Sequence, residues 1–244
     1  VAPGGGAAAV EAMRTLHLGG LSVTMPHKAD VAQAVDRCTP AARRLGAVNC
    51  VAWEQGELVG HNTDGDGFLD SLMPALSRPL PELRCFVLGA GGAARSVIVA
   101  LAAAGAAEVA VCNRTSRRAE AAAALAGSAG SVAASSQVGG YDVVVNATSL
   151  GMAGTNGAGL VPVDPSRLHD GQLVVDLVYN PLRTRLLAEA AARGAAVLDG
   201  VGMLVHQAAH QFTLWTGRDA PLGAMEAAAR NVKSALQEWA QARG

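Results

Sequence analysis

The run Arg84-Cys-Phe-Val-Leu88, followed at once by Gly89-Ala90-Gly91-Gly92-Ala93-Ala94, constrains this chain more than any other stretch. A short apolar run bounded by glycine reads as a buried strand, and the Ala- and Val-rich residues up to Ala104 read as a helix. Glycine at 89 permits a tight turn, glycine at 91 lets backbone N–H groups approach a pyrophosphate, and the small Ala94 in the third place lets helix pack on strand. The free N–H groups at the helix start hold the anion. Strand, glycine turn and helix in that order predict a dinucleotide site built on a parallel sheet.

The next strand, Glu108 to Cys112, ends in Asn113-Arg114-Thr115-Ser116-Arg117-Arg118. A site for NAD usually carries an acid near this point, bonded to the ribose 2′-hydroxyl. Asparagine and guanidiniums stand here instead, and arginine grips a 2′-phosphate bidentately. The preferred cofactor is therefore NADP, with either Arg117 or Arg118 left over for the solvated face of the following helix. Further strands are expected at 141–145, 173–177 and 196–198, with Tyr179 just past the carboxyl end of the second of these, where ligands bind in such sheets. Residues 121–134 read only as low in complexity.

Chemistry is expected at two polar corners in the first quarter of the chain. Leu21-Ser-Val-Thr24-Met-Pro-His-Lys28 reads as a short buried strand stopped by Pro26, which delivers Lys28 to a rigid corner. Gly60-His-Asn-Thr-Asp64-Gly is a second corner after the hairpin that joins residues 47–53 to 58–59. Thr63 is expected to cap the next helix and Asp64 to lie in its first turn, where a carboxylate also suits the helix dipole. A solvated surface lysine would read the same way as Lys28 taken alone. Near the other end, Met203, Leu204, His206, Gln207, His210 and Gln211 lie on an otherwise apolar helix, 203–215; a buried glutamine is costly unless bonded, so Gln207 is either bonded internally or faces a ligand. The last helix, 221–240, reads as packing through Leu222, Met225, Ala229, Val232, Leu236 and Trp239.

Composition narrows the class of protein. The 244 residues suit one large or two ordinary domains, and the net charge of −1 gives no footprint for nucleic acid or an anionic membrane. No apolar run reaches the roughly 18 residues of a membrane span. Cys38, Cys50, Cys85 and Cys112 are scattered, and the histidines are dispersed, so neither a metal site nor a disulfide framework is expected. A reducing cytoplasm is the expected compartment.

Seven segments in order resemble the shikimate dehydrogenase family, which includes quinate/shikimate dehydrogenases: Ser22 to Lys28, Gly46-Ala-Val-Asn49, Asn62-Thr-Asp64-Gly, Gly89 to Ala93, Asn113-Arg114-Thr115, Asn146-Ala-Thr-Ser149, and Gly200-Val-Gly-Met-Leu-Val-His-Gln207. The resemblance spans essentially the whole chain. It implies NADP-dependent interconversion of 3-dehydroshikimate and shikimate in chorismate and aromatic amino-acid biosynthesis. It implies Lys28 as catalytic acid/base with Asp64 as its partner, and Thr24, Asn49, Tyr179 and Gln207 around the substrate's ring hydroxyls. It places Gly89, Ala90, Gly91, Gly92, Ala93, Asn113, Arg114, Thr115, Arg118, Leu177 and Gly200 against NADP. The expected fold is α/β with two domains: a substrate-binding domain from 1–66 with 201–244, and a Rossmann-like NADP-binding domain from 67–200. A homodimer is compatible with this reading. The rival readings are a quinate/shikimate dehydrogenase using NAD and a non-catalytic NADP-binding remnant.

One departure bears on the second rival. Family members begin with a further strand and helix, whose serine-containing segment holds the substrate carboxylate. Here the chain opens at what resembles the family's second strand, Val1 is not Met, and no Ser-x-Ser precedes Lys28. A truncated chain is expected, from a start called too late or an internal GTG start read as valine. With it would go the carboxylate anchor and an interior strand of the first sheet.

Overall fold

In the computed structural model, residues 1–241 are described, with side chains described to residue 231. Helix α1 (Gly6–Thr15) buries Val10 and Met13 at helical spacing. Strand β1 (Gly20–Ser22), helix α2 (Lys28–Ala34), strand β2 (Arg37–Cys38) and helix α3 (Pro40–Leu45) follow, then the hairpin of β3 (Cys50–Glu54) and β4 (Glu57–His61). These strands form a four-stranded sheet in the order β1-β3-β4-β2, with only the β2–β4 pair parallel.

The 22–28 corner differs from expectation. Strand β1 ends at Ser22, before Pro26, and lies at a sheet edge with Leu21 half-buried and Met25 76% exposed. The expected buried strand is thus an edge strand, and Lys28 opens α2 after a loop. The inside–outside alternation survives: Leu21 and Val23 lean on the core while Ser22 and Thr24 face out. The sheet is also continuous from β1 to β2, so the expected open interior position is absent among the described strands.

Helix α4 (Asp64–Leu72) leads to β5 (Arg84–Leu88), α5 (Gly92–Ala103), β6 (Glu108–Cys112), α6 (Ser116–Ala123), β7 (Gly130–Val132), β8 (Val143–Asn146), β9 (Leu173–Asp176), α7 (Arg185–Ala191) and β10 (Ala196–Leu198). Their six strands are all parallel, in the order β10-β9-β8-β5-β6-β7. The direction of winding reverses between β5 and β8, and a sheet of this order binds ligands in the crevice outside that point. Alternate residues of β5 serve opposite faces: Cys85 and Val87 join one buried cluster, Phe86 and Leu88 the other. Strand β7 lies in the Ala- and Ser-rich stretch that carries no strand pattern. It is a three-residue edge strand with Val132 half exposed, too short and too small to stand out.

Helix α8 (Val201–Thr216) returns to the first sheet, and α9 (Leu222–Gln241) follows. Val232, Leu236 and Trp239 lie outside the described side chains. Helices α4 and α8 stack closely: a Cβ on Gly67 would stand 2.4 Å from the Gln207 nitrogen, so only glycine allows this approach. Phe68 and Leu72 of α4 and Met203 of α8 enter the core of the six-stranded sheet. Helix α4 therefore crosses residue 66 with its first residue turned to one sheet and its last turn to the other. No helix among the described residues is long and apolar enough to cross a membrane.

Candidate functional site

The carboxyl ends of β5, β6, β7 and β8 line a cavity of about 770 Å³, with Leu88, Gly89, Asn113, Arg114, Arg118 and Thr148 on its walls. Gly89 turns the chain with φ +112°, a conformation that glycine adopts without strain, and its N–H donates to the Cys112 carbonyl at 2.8 Å. Beyond it, Gly91 and Gly92 are exposed, and a Cβ on either would meet nothing within 4 Å, so this face of the turn is an open cradle at the start of α5. Ala94, in the third place of the motif, is fully buried against the sheet.

The charge around this cradle is unspent. The side chains of Arg114, Arg117 and Arg118 have no hydrogen-bond or ion-pair partner among the described residues. Arg95, on the first turn of α5, has a buried Nε without a hydrogen-bond partner among the described residues, and it lines a second cavity of about 220 Å³ with Ala90 and Arg118. Guanidiniums held near an open cradle without carboxylates suit an anion with several phosphoryl oxygens. A phosphorylated dinucleotide fits the residues present.

Below the cradle the strand ends are held by a buried polar network. Asp176 accepts from Asn146 Nδ2 at 2.9 Å, Thr184 Oγ1 at 2.7 Å and the Val178 N–H at 3.0 Å. Burial nevertheless pushes its carboxyl above the usual range, against those three bonds. This network fixes the chain that carries Leu177, Val178 and Tyr179.

The second cluster lies where α2, β3, α4 and α8 meet. Lys28 Nζ donates to Asp64 Oδ2 at 2.6 Å, with the two side chains 18% and 7% exposed. Asn49, fully buried before β3, donates through Nδ2 to Asp64 Oδ1 at 2.7 Å and to Thr63 Oγ1 at 3.0 Å, and its Oδ1 accepts the Thr63 N–H at 2.8 Å. Thr63 Oγ1 donates to the Gln207 carbonyl at 2.9 Å. Asn49 Nδ2 also lies 3.3 Å from Gln207 Oε1. The cluster thus holds a cation, a carboxylate and two amides in one hydrogen-bonded group, which can protonate or stabilise an oxygen that gains charge.

Residues 1–51 match the shikimate dehydrogenase substrate binding domain, residues 75–179 the shikimate/quinate 5-dehydrogenase domain, and residues 200–230 the shikimate 5′-dehydrogenase C-terminal domain. A shikimate dehydrogenase (NADP(+)) of Moorella thermoacetica is 44% identical over 245 residues, covering 96% of this chain and 82% of that protein. The chain belongs to the shikimate dehydrogenase family. The shikimate 5-dehydrogenase of Thermus thermophilus, solved in complex with NADP(H) and shikimate, shares the fold with a TM-score of 0.86 and 37% identity, over 95% of this chain and 85% of that one. A ligand-free 5-ketofructose reductase of Gluconobacter sp. strain CHM43 does so with a TM-score of 0.83 and 38% identity, over the same shares of 95% and 85%. The fold is accordingly the two-domain α/β arrangement of shikimate dehydrogenases.

Of the residues expected to act in this member of the family, Lys28, Asp64, Asn49 and Gln207 come together from four separate stretches of chain. Gly89, Asn113, Arg114, Thr115 and Arg118 line the large cavity, with Ala90, Gly91, Gly92 and Ala93 forming the turn beside it. Leu177 and Gly200 meet, the Gly200 backbone packing against the Leu177 carbonyl. Thr24 and Tyr179 stay outside the bonded cluster: Thr24 is exposed in the loop before α2, and Tyr179 is 48% exposed.

Thr63 corrects its expected role as a helix cap. It occupies the N-cap position, but its side chain makes no cap bond, because the hydroxyl serves Asn49 and Gln207 instead. Three residues with a part in the site went unmarked by the motif reading. Arg95 follows the glycine turn directly, and its unpaired charge beside that turn was the available clue. Ser96 Oγ donates to Asn62 Oδ1 at 3.2 Å and so joins α5 to the Asp64 corner; serine on a helix gives no such hint. Gln211 was visible only as a polar residue on an apolar helix.

Proposed function

We propose that this chain catalyses the NADP-dependent, reversible reduction of 3-dehydroshikimate to shikimate, a step of chorismate and aromatic amino-acid biosynthesis in the cytoplasm. The observation that carries the reading is the sheltered Lys28–Asp64 pair at 2.6 Å, braced by Asn49. NADPH supplies the hydride when bound. Lys28 Nζ presents N–H donors to the carbonyl oxygen, stabilises the negative charge that develops there, and hands over a proton. Asp64 holds the ammonium in place through Oδ2 and accepts from a substrate hydroxyl. In the direction of oxidation the same pair takes the proton from the alcohol.

Thr24, Asn49, Tyr179 and Gln207 would surround the ring hydroxyls. Gly89 to Ala93, Asn113, Arg114, Thr115, Arg118, Leu177 and Gly200 would hold NADP, with the unpaired guanidiniums supporting a 2′-phosphate. The division into residues 1–66 with 201–244 and residues 67–200 is supported by the two sheets, whose strands fall within 20–61 and 84–198.

The test is NADPH formation with shikimate and NADP beside the same assay with quinate and NAD. Turnover of shikimate with NADP well above quinate with NAD is expected. The reverse order would replace the reading by a quinate dehydrogenase, and no reduction of either cofactor would leave the remnant.

A further inference from the structure

We infer that Gln211 is a positioning residue that fixes which end of the Gln207 carboxamide faces the substrate, so that Gln207 serves the bound hydroxyl as a hydrogen-bond donor. The inference rests on the reading that Gln207 touches substrate. The constraint begins at a backbone group. Gln211 is 2% exposed, and its Nε2 lies 3.3 Å from the Asn49 carbonyl oxygen and 2.8 Å from Gln207 Oε1. A backbone carbonyl can only accept. Were the Gln211 amide turned over, its oxygen would face that carbonyl, an acceptor against an acceptor in a buried place. Gln211 therefore presents Nε2.

That choice determines the next one. With Gln211 Nε2 donating at 2.8 Å, Gln207 must answer with its oxygen; Asn49 Nδ2, whose two hydrogens go to Asp64 and Thr63, lies 3.3 Å from the same Oε1. The other end of the same amide is also held by a group that cannot turn: Gln207 Nε2 donates to the Leu204 carbonyl at 2.9 Å. Both ends agree, so the Gln207 amide has one orientation. Its oxygen faces Gln211 inside the protein, and an amide nitrogen carries two hydrogens. The hydrogen not used by Leu204 is what Gln207 offers a ligand. The group it recognises is thus an oxygen with a lone pair to spare, such as a ring hydroxyl whose own proton goes elsewhere.

Gln211→Met keeps the length and volume of the side chain and removes the donor. The Michaelis constant for shikimate is expected to rise about tenfold, the size of one lost neutral hydrogen bond, with turnover little changed. The dissociation constant for NADP, read by titration calorimetry, should stay within about twofold, since no cofactor contact depends on this amide. The decisive arm is the double variant. In a Gln207→Ala background, Gln211→Met should add less than about a twofold further change, because a residue that acts through Gln207 has nothing left to position.

Equal increases in both backgrounds would assign Gln211 to packing alone and overturn the inference. So would an unchanged Michaelis constant in Gln211→Met while Gln207→Ala raises it. An unchanged constant in Gln207→Ala would instead remove the reading beneath the inference, and the inference with it. Should Gln211→Met fail to fold, Gln211→Glu decides. Its ionised carboxylate would face the same acceptors and drive the Gln207 amide over, so a Michaelis constant equal to that of the parent overturns the proposal.

Discussion

At the carboxyl ends of the parallel strands, Arg95, Arg114, Arg117 and Arg118 hold their side chains without hydrogen-bond partners among the described residues. Around β3 and α8, in contrast, Lys28, Asp64, Asn49, Thr63, Gln207 and Gln211 are bonded to one another before any ligand arrives. The large cavity keeps its charge for an anion that brings its own oxygens, and the exposed guanidiniums of Arg114, Arg117 and Arg118 can wait in water at little cost. The Lys28–Asp64 cluster is sheltered, where an unpartnered polar group is expensive. It must satisfy itself first and present to the substrate only the hydrogens and lone pairs left over. Affinity for the cofactor and orientation of the catalytic groups should therefore respond to different substitutions.

The largest separation is expected from Lys28→Ala. Turnover should fall by about 10² to 10⁴, the range for a positioned proton donor, with the NADP dissociation constant unchanged. Steady-state kinetics beside calorimetric titration reads both, and near-native turnover would refute the assignment of Lys28. Arg118→Ala is expected to do the opposite: weaken NADP by about tenfold to a hundredfold, as one charged hydrogen bond would, and leave NAD binding and melting temperature alone. Equal losses for the two cofactors would move Arg118 from the 2′-phosphate to the shared part of the dinucleotide.

Asn49→Ala should cross the boundary between these effects. It leaves Asp64 Oδ1 and the Thr63 N–H without the Asn49 amide at once, at a cost of about 1–3 kcal/mol in stability and with loss of turnover. A chemical denaturation midpoint equal to that of the parent would show that the cluster is not self-satisfied in the way described.

The smallest effect concerns pH. Burial raises the Asp176 carboxyl, so the folded chain binds a proton more tightly there than the unfolded chain. The linkage is then favourable at low pH, and stability falls as pH rises from the ordinary carboxylate value of about 3.9 through the raised folded value. Melting curves across that window should show the decline in the parent and lack it in Asp176→Asn. A parent whose stability rises relative to the variant over the same window would contradict the shift.

The parallel sheet was legible because each of its longer strands repeats a local pattern. Arg84–Leu88, Glu108–Cys112 and Leu173–Asp176 stand where apolar runs between turns place them, and Gly89-Ala-Gly91 marks the expected cofactor turn within a few residues. Strands β2 and β7 were not legible, since two or three residues at a sheet edge are held by pairing with a neighbour rather than by their own pattern. The residues proposed for catalysis and substrate binding lie between these extremes. Lys28, Asp64 and Gln207 are readable as types in motifs, yet their meeting depends on Gly67, which lets α8 approach α4. The direction in which the Gln207 amide points was beyond any reading of the chain. It follows from carbonyls of Asn49 and Leu204 and from Gln211, groups whose hydrogen bonds exist only once distant segments have packed. Local composition is enough to select strands and turns, because their energetics act over a few neighbouring residues. The polarity of a buried amide is a property of everything around it.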